Sequence, residues 1–565
     1  MRRLTLALLA VLVVVAISWA MFMSGPDVPD QSVLTLELSG EFEEIPPTDA
    51  LAQFMARGPA LPTLLLQLEK AAADERIQAV LLHIRPIRLG WARTQELHDG
   101  VVRLRESGKT VVALLDLATL NATRELLLAS AASKVYVVPG YLGPLAGLSG
   151  EFLFLSGFLD KLGIQFEYER VGDYKSAPEM FAAREMSEPA RRNANALFDG
   201  LYDQLVTRLA VGRGLSPERV RALVAAAPGT ADEIVEANLA DGVATKKEAL
   251  RLAGLEDAPE VRLDTYLHVD PRDLGLRDGP TIALVFGDGT IVPGPGGRSQ
   301  RFAADPIAKA LREAGEDDDV AAIVLRINSG GGSPLASELL WSTVREVTEQ
   351  KPVVVSMADA AASGGYYVAS AGNAIFAEPG TLTGSIGVFL IRPAYRGLYE
   401  KLGVQTETLA RGPFASVSGG SGPFTPEQRA RTKHFVHALY SEFLERVATG
   451  RGIDVEQVDR VAQGQVWLGD AALELGLIDG LGGLHAAVAR AKQEAGIDAD
   501  VDPRRAVFPG PRSIGEQVRG LMRGELRTWL VRQVMPFELP SLFAALAESF
   551  EGGVAYLPSW WIEFD

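Results

Sequence analysis

The sequence predicts a mixed α/β chain made of two tandem copies of one domain, each a mostly parallel sheet covered by helices. Two observations carry this expectation. A segment recurs in diverged form 240 residues along, where Lys161-Leu162-Gly163-Ile164-Gln165 is matched by Lys401-Leu402-Gly403-Val404-Gln405. Short β-branched runs also alternate with helical patterns of about 10 to 15 residues, the order from which strand-helix-strand units are built. The chain has 565 residues. That exceeds one core and suits two domains of about 200 to 250 residues each.

From the start of the chain, Met1-Arg2-Arg3 is followed by residues 4–23, which carry no charge. A helix needs ~20 such residues to cross a ~30 Å hydrocarbon core. Residues 1–25 are therefore expected to be a transmembrane anchor, with Arg2 and Arg3 on the cytoplasmic side and the remainder across the membrane. The alternative is a cleaved signal peptide, for which Ala16-Ile17-Ser18 or Ser18-Trp19-Ala20 offers a small-residue site. The apolar run exceeds a usual signal core and favours retention; Gly25-Pro26 ends it.

The first copy is expected over residues 26–279 and the second over 280–498. Residues 33–38 match 282–286 and residues 74–84 match 317–327. Val211-Gly212-Arg213-Gly214 aligns with Thr449-Gly450-Arg451-Gly452, and Leu239-Ala240-Asp241-Gly242 with Leu477-Ile478-Asp479-Gly480. A period of domain size means a tandem duplication and no solenoid. In the second copy a strand over 321–327 enters Asn328-Ser329-Gly330-Gly331-Gly332. Ser333 and Pro334 then suit the N-cap and first turn of a helix carrying Leu339, Leu340 and Val344. A strand at 353–357 leads into Ser363-Gly364-Gly365 and a small-residue helix. Thr425-Pro426-Glu427-Gln428 resembles a capping box, with Ser187-Glu188-Pro189 as its counterpart.

Residues 499–565 lie outside the matched segments. Ile514, Val518, Leu521, Leu526, Trp529, Leu530 and Val534 recur at roughly helical spacing, with Arg519, Arg523, Arg527 and Arg532 on a basic side. The expectation is a helix docked on its own domain or on a neighbouring subunit, with contact to an anionic membrane surface as the alternative. Trp560-Trp561 suits interface packing.

A net charge of -17 disfavours a nucleic-acid partner, whose phosphates call for excess lysine and arginine. The absence of cysteine removes disulfides, thiol catalysis and thiolate zinc sites. A serine hydroxyl needs a base, and histidine is the usual one. None of the six histidines lies in a glycine-rich turn. Lysine can replace histidine if burial lowers its pKa toward neutrality. Lys175 has the sequence setting for this, between Tyr174 and Ser176 and followed by Ala177, Pro178 and Met180, although a single lysine is usually a solvated surface residue.

Ser363 opens a helix and is followed by glycines, so free backbone amides and close substrate approach are both available. A plain helix N-cap is the competing reading of this serine. The glycine run at 330–332 can aim amides at a developing negative charge. A phosphate cradle is disfavoured because no Walker-type lysine and serine or threonine follow the glycines. The 240-residue offset sets Lys175 against Ala415 and Ser363 against Thr123. One copy holds the lysine and the other the serine, so the two halves together can supply one composite site.

Asn328-Ser329-Gly330-Gly331-Gly332-Ser333, Ala361-Ala362-Ser363-Gly364-Gly365-Tyr366-Tyr367, Thr383-Gly384-Ser385-Ile386-Gly387-Val388 and Tyr174-Lys175-Ser176-Ala177 together resemble the signal peptide peptidase A family, or protease IV, in its long duplicated form. The resemblance covers nearly the whole chain. It implies a Clp protease/crotonase-like fold in each copy, Ser363 as nucleophile, Lys175 as general base, Ser385 orienting the lysine amine, and the amides of Gly332 and Gly364 as the oxyanion hole. Gly330 stands where the family more often has proline, which leaves the choice between Gly331 and Gly332 open. The resemblance further implies remnant signal peptides and unfolded apolar peptides as substrates, cleavage on the periplasmic side of the bacterial cytoplasmic membrane, a homotetramer, and no cofactor or metal. Two rivals remain: an acyl-CoA enzyme of the crotonase-like fold, and a membrane scaffold without activity.

Overall fold

A computed structural model describes residues 28–47, 60–296, 302–419 and 421–510. The expected anchor at 1–25 and the amphipathic tail beyond 510 lie outside the described residues. Among the described residues no helix is long and apolar enough to cross a membrane.

Each copy is an open sheet. In the first, six strands run parallel in the order Gly242–Val243, Lys134–Val137, Thr110–Leu115, Ile77–Arg88, Ser32–Glu41, Glu260–Arg262. The second copy repeats the plan. Gly480–Leu481, Ala374–Ala377, Val353–Ala362, Val320–Ser329, Gly279–Asp288 and Pro503–Phe508 are likewise parallel neighbours. Leu382–Gly384 and Val466–Leu468 extend this sheet, the latter antiparallel. The sheet therefore takes in Pro503–Phe508, beyond the expected boundary at 498; the matching edge of the first copy is Glu260–Arg262.

The central strands carry apolar stretches such as Ile323-Val324-Leu325 and Val353-Val354-Val355 because both faces are covered. Val285, Ile323, Leu325, Val353 and Val355 pack into one core, while Leu284, Phe286, Val324 and Val354 pack into another. Each such side chain contributes roughly 1.5–3 kcal/mol when fully buried. The helix starts follow local chemistry. Ser333 accepts from Ala336 N–H at the start of Pro334–Thr348, and Thr425 forms a capping box with Gln428 at the start of Pro426–Arg451. The long helices Glu188–Arg213 and Pro426–Arg451 end at the left-handed Gly214 and Gly452.

The contacts that join the copies include a strand pairing, an amide side chain and a buried ion cluster. Gln165–Val171 of the first pairs antiparallel with Val388–Ala394 of the second. Asn193 donates to Val466 O at 2.8 Å and accepts from Val466 N–H at 3.0 Å, acting as a side-chain substitute for a strand neighbour. Between the sheets the fully buried Arg326 bonds Glu44 at 2.7 Å and Glu96 at 2.6 Å. A charge in that position is tolerated only because its partners cross from the other copy.

Candidate active site

The site forms where the two-stranded pairing of the copies meets the second sheet. Gln165–Val171 runs into Gly172, whose left-handed backbone (φ 98°) lets the chain pass so close to the second copy that a Cβ would lie 2.3 Å from the Gln463 carbonyl carbon. Lys175 follows. Its carbonyl accepts from Arg170 Nη1 at 2.9 Å, and Arg170 is itself held by Glu179 at 2.8 Å. The side chain of Lys175 crosses into the second copy and is 4% exposed. Burial pulls its amine from the ordinary 10.5 down to about 7.

Lys175 Nζ lies 3.0 Å from Ser363 Oγ, 2.8 Å from Ser385 O and 2.9 Å from Ser385 Oγ. The two copies thus meet within one chain, across 188 residues of sequence. Ser363 precedes the helix Gly364–Ala369 without capping it: its side chain makes no cap hydrogen bond, and its backbone sits at φ 52°, ψ −118°. Such a conformation costs of order 1–3 kcal/mol in a residue with a Cβ and survives only where surroundings enforce it. Here Ser363 N–H donates to Gly384 O at 2.8 Å and Ser363 O accepts from Tyr367 N–H at 2.8 Å. The hydroxyl is thereby turned away from its own helix and toward the lysine.

The glycine loop distinguishes Gly331 from Gly332. Gly331 N–H is spent on Ser329 Oγ at 3.1 Å. Gly331 O accepts from Ile291 N–H at 3.0 Å and Ser333 N–H donates to Ile291 O at 2.9 Å, so in this parallel bridge the N–H of Gly332 points away from Ile291. Gly332 N also lies beside Gly364: a Cβ on Gly364 would sit 3.2 Å from it and 2.5 Å from Ser337 Oγ. Among the described residues, neither Gly332 N–H nor Gly364 N–H has a recorded acceptor. The two amides are available as a pair next to Ser363.

The counterpart of each residue in the other copy holds no such chemistry. Thr123 Oγ1 donates to Asn121 Oδ1 at 2.7 Å and accepts from Gly147 N–H at 3.1 Å, so its hydroxyl is engaged by its own loop. Ala415, opposite Lys175 in the repeat, lies exposed in a turn. Among the described residues no acidic or histidine cluster is placed to hold a metal ion. Sequence reasoning missed Arg170, Glu179, Ser329 and the loop 463–465, which position the site through backbone contacts that leave no spacing signature.

The chain matches peptidase family S49 over residues 103–258 and 345–498, one stretch in each copy. It is 35% identical over 478 residues to a chloroplastic serine protease SPPA of Arabidopsis thaliana, covering 82% of this chain and 69% of that protein. It is 32% identical over 452 residues to Protease 4 of Haemophilus influenzae, covering 76% of this chain and 72% of the relative. Duplicated family matches and relatives named as proteases over most of their length lead to one conclusion: this chain belongs to peptidase family S49 and is a serine protease.

Proposed function

We propose that the protein is a membrane-anchored endopeptidase in which Ser363 and Lys175 form the catalytic dyad and which degrades remnant signal peptides at the bacterial cytoplasmic membrane. The observation that carries the dyad is the 3.0 Å approach of Nζ to Oγ, combined with an amine that burial holds at about 7. A substantial fraction of that amine is neutral near pH 7 and can accept a proton.

In this mechanism Lys175 Nζ takes the Ser363 hydroxyl proton as Oγ attacks the scissile carbonyl. The amides of Gly332 and Gly364 bind the resulting oxyanion. Lys175 then protonates the leaving amine, and water, deprotonated by the same lysine, hydrolyses the acyl-enzyme. Ser385 holds the amine through both its hydroxyl and its carbonyl, which keeps a flexible four-carbon side chain aimed. Leu335 and Leu339, 74% and 40% exposed on the helix that follows the glycine loop, offer apolar surface next to the site. That suits an extended apolar peptide.

The anchor at residues 1–25, catalytic domains on the periplasmic side, a Clp protease/crotonase-like architecture and assembly as a homotetramer belong to the same proposal. They rest on the apolar start of the chain and on its family. Hydrolysis of a fluorogenic apolar peptide by the purified full chain, beside Ser363→Ala and Lys175→Ala, tests the dyad. Each substitution is expected to reduce kcat by at least about 10³-fold. A Lys175→Ala protein with near-normal kcat would overturn it.

A further inference from the structure

Three residues with side chains hold positive-φ backbone next to Lys175 and the groups it contacts: Ser363 at φ 52°, Ser385 at φ 51° and Gln463 at φ 53°. Two of them carry the hydroxyls that contact the amine. The third has no part in the chemistry described above, yet its conformation is enforced just as heavily. Gln463 O accepts from Tyr174 N–H at 3.0 Å. Its Nε2 donates to Asp459 Oδ1 at 2.6 Å and to Tyr440 Oη at 3.1 Å, and Tyr440 in turn donates to Asp459 at 2.5 Å.

The next two residues continue the grip. Gly464 N–H donates to Ile386 O at 2.8 Å, and Gly464 lies so close to Lys175 that a Cβ would sit 2.5 Å from the Lys175 nitrogen. Gln465 O accepts from Ser385 N–H at 2.7 Å. Three consecutive residues of the second copy therefore hold the backbone next to Lys175 on one side and that of Ser385 on the other.

We propose that Gln463 is a positioning residue, which with Gly464 and Gln465 forms a clamp fixing the Lys175 backbone against the Ser385 turn so that the amine stays between the two hydroxyls. The inference rests on the dyad of the proposed function. A lysine side chain has four rotatable bonds, and proton transfer needs heavy atoms within about 2.6–3.2 Å, so an anchored backbone removes freedom that the hydroxyls alone cannot. Gly387, on the Ser385 turn, packs against both the clamp and the lysine stem: a Cβ there would lie 2.9 Å from Gly464 Cα and 3.2 Å from Lys175 Cδ. The ionisable groups around it act on other atoms. Asp459 and Tyr440 reach Gln463, Arg170 reaches the Lys175 carbonyl, Glu179 reaches Arg170, and Asp173 and Tyr174 are its neighbours in the chain. Burial alone displaces the amine.

The test is the pH profile of kcat/KM for the fluorogenic peptide, with melting temperature measured in parallel. Gln463→Gly keeps the left-handed backbone and removes the side-chain ties; Gly464→Ala keeps those ties and pushes the Lys175 backbone away. Admitting water to the amine raises its pKa toward the ordinary value. The acid limb should then move to higher pH by about one unit in each variant, a loss of about tenfold below the limb that is recovered near pH 9. A merely structural role lowers activity and melting temperature together and leaves the limb where it was. An active, Lys175-dependent enzyme whose limb is unmoved in both variants overturns the clamp alone; a wild type that does not need Lys175 overturns the dyad and the clamp together.

Discussion

Replacing Lys175 with methionine, which keeps an unbranched apolar stem and removes the amine, is expected to make the protein more stable while ending hydrolysis. The unfolded chain holds the lysine proton up to the ordinary 10.5, whereas the folded chain releases it at about 7. Between those values the unfolded state binds more protons, so the lysine's contribution to stability rises with pH. It is full above about 10.5 and is lost as pH falls through about 7. The gap corresponds to about 5 kcal/mol of destabilisation by the charged, buried form in acid. Against this, methionine strands the Ser363 and Ser385 hydroxyls, a pH-independent cost of about 1–3 kcal/mol. The net gain for Lys175→Met at pH 6 is then about 2–4 kcal/mol. The comparison between two pH values cancels the stranding cost: the variant's advantage should shrink by about 4 kcal/mol from pH 6 to pH 10. Equilibrium urea denaturation of wild type and variant at both pH values, followed by tryptophan fluorescence, measures it. An advantage that differs by less than about 1 kcal/mol between pH 6 and pH 10 would refute the reasoning, because the lysine would then not be paying a desolvation cost in the fold.

Two other substitutions probe the site and its frame. Gly364→Ala puts a methyl group 2.5 Å from Ser337 Oγ and 3.2 Å from Gly332 N, which closes the gap between the two amides. The expected result is a fall in kcat of about 10²–10³ with little change in KM, read from steady-state hydrolysis, and an unchanged kcat would remove these amides from the mechanism. Arg326→Leu leaves Glu44 and Glu96 buried without their shared partner across the copies. It should cost about 3–5 kcal/mol by urea denaturation near pH 7, and less at low pH as the carboxylates become protonated. Equal loss at every pH would mean that packing rather than charge makes this contact.

The duplicated plan was legible because apolar runs covered on both faces, as at Val353-Val354-Val355, leave a composition signal, and because a whole-domain repeat preserves turns such as Gly214 and Gly452 at matching places. Ser363 and Lys175 could be singled out since each sits in an unusual local setting and each is missing from the other copy. Their 3.0 Å separation could not be read, because it depends on how two sheets pack. The choice between Gly331 and Gly332 was equally hidden: it turns on Gly331 N–H being taken by Ser329 Oγ while Gly332 N–H is left pointing away from Ile291, a property of hydrogen-bond direction and not of residue type. Glu44, Glu96 and Arg326 look like ordinary charged residues until their elements meet. Gln463 gave no signal at all, since nothing about a glutamine before a glycine announces a left-handed backbone. Pro503–Phe508 escaped because a six-residue edge strand beyond the repeat resembles a linker.

The order in which the machinery is encoded has its own consequence. During translation the amine at position 175 emerges early, the hydroxyl at 363 follows much later, and the loop that grips the amine's backbone ends only at 465. Under the proposed dyad, a chain that ends before position 363 holds the lysine without its serine partner. With the proposed dyad split in this way, hydrolysis requires the late half folded onto the early one, and an unfinished chain, itself extended, would not yet face its own activity.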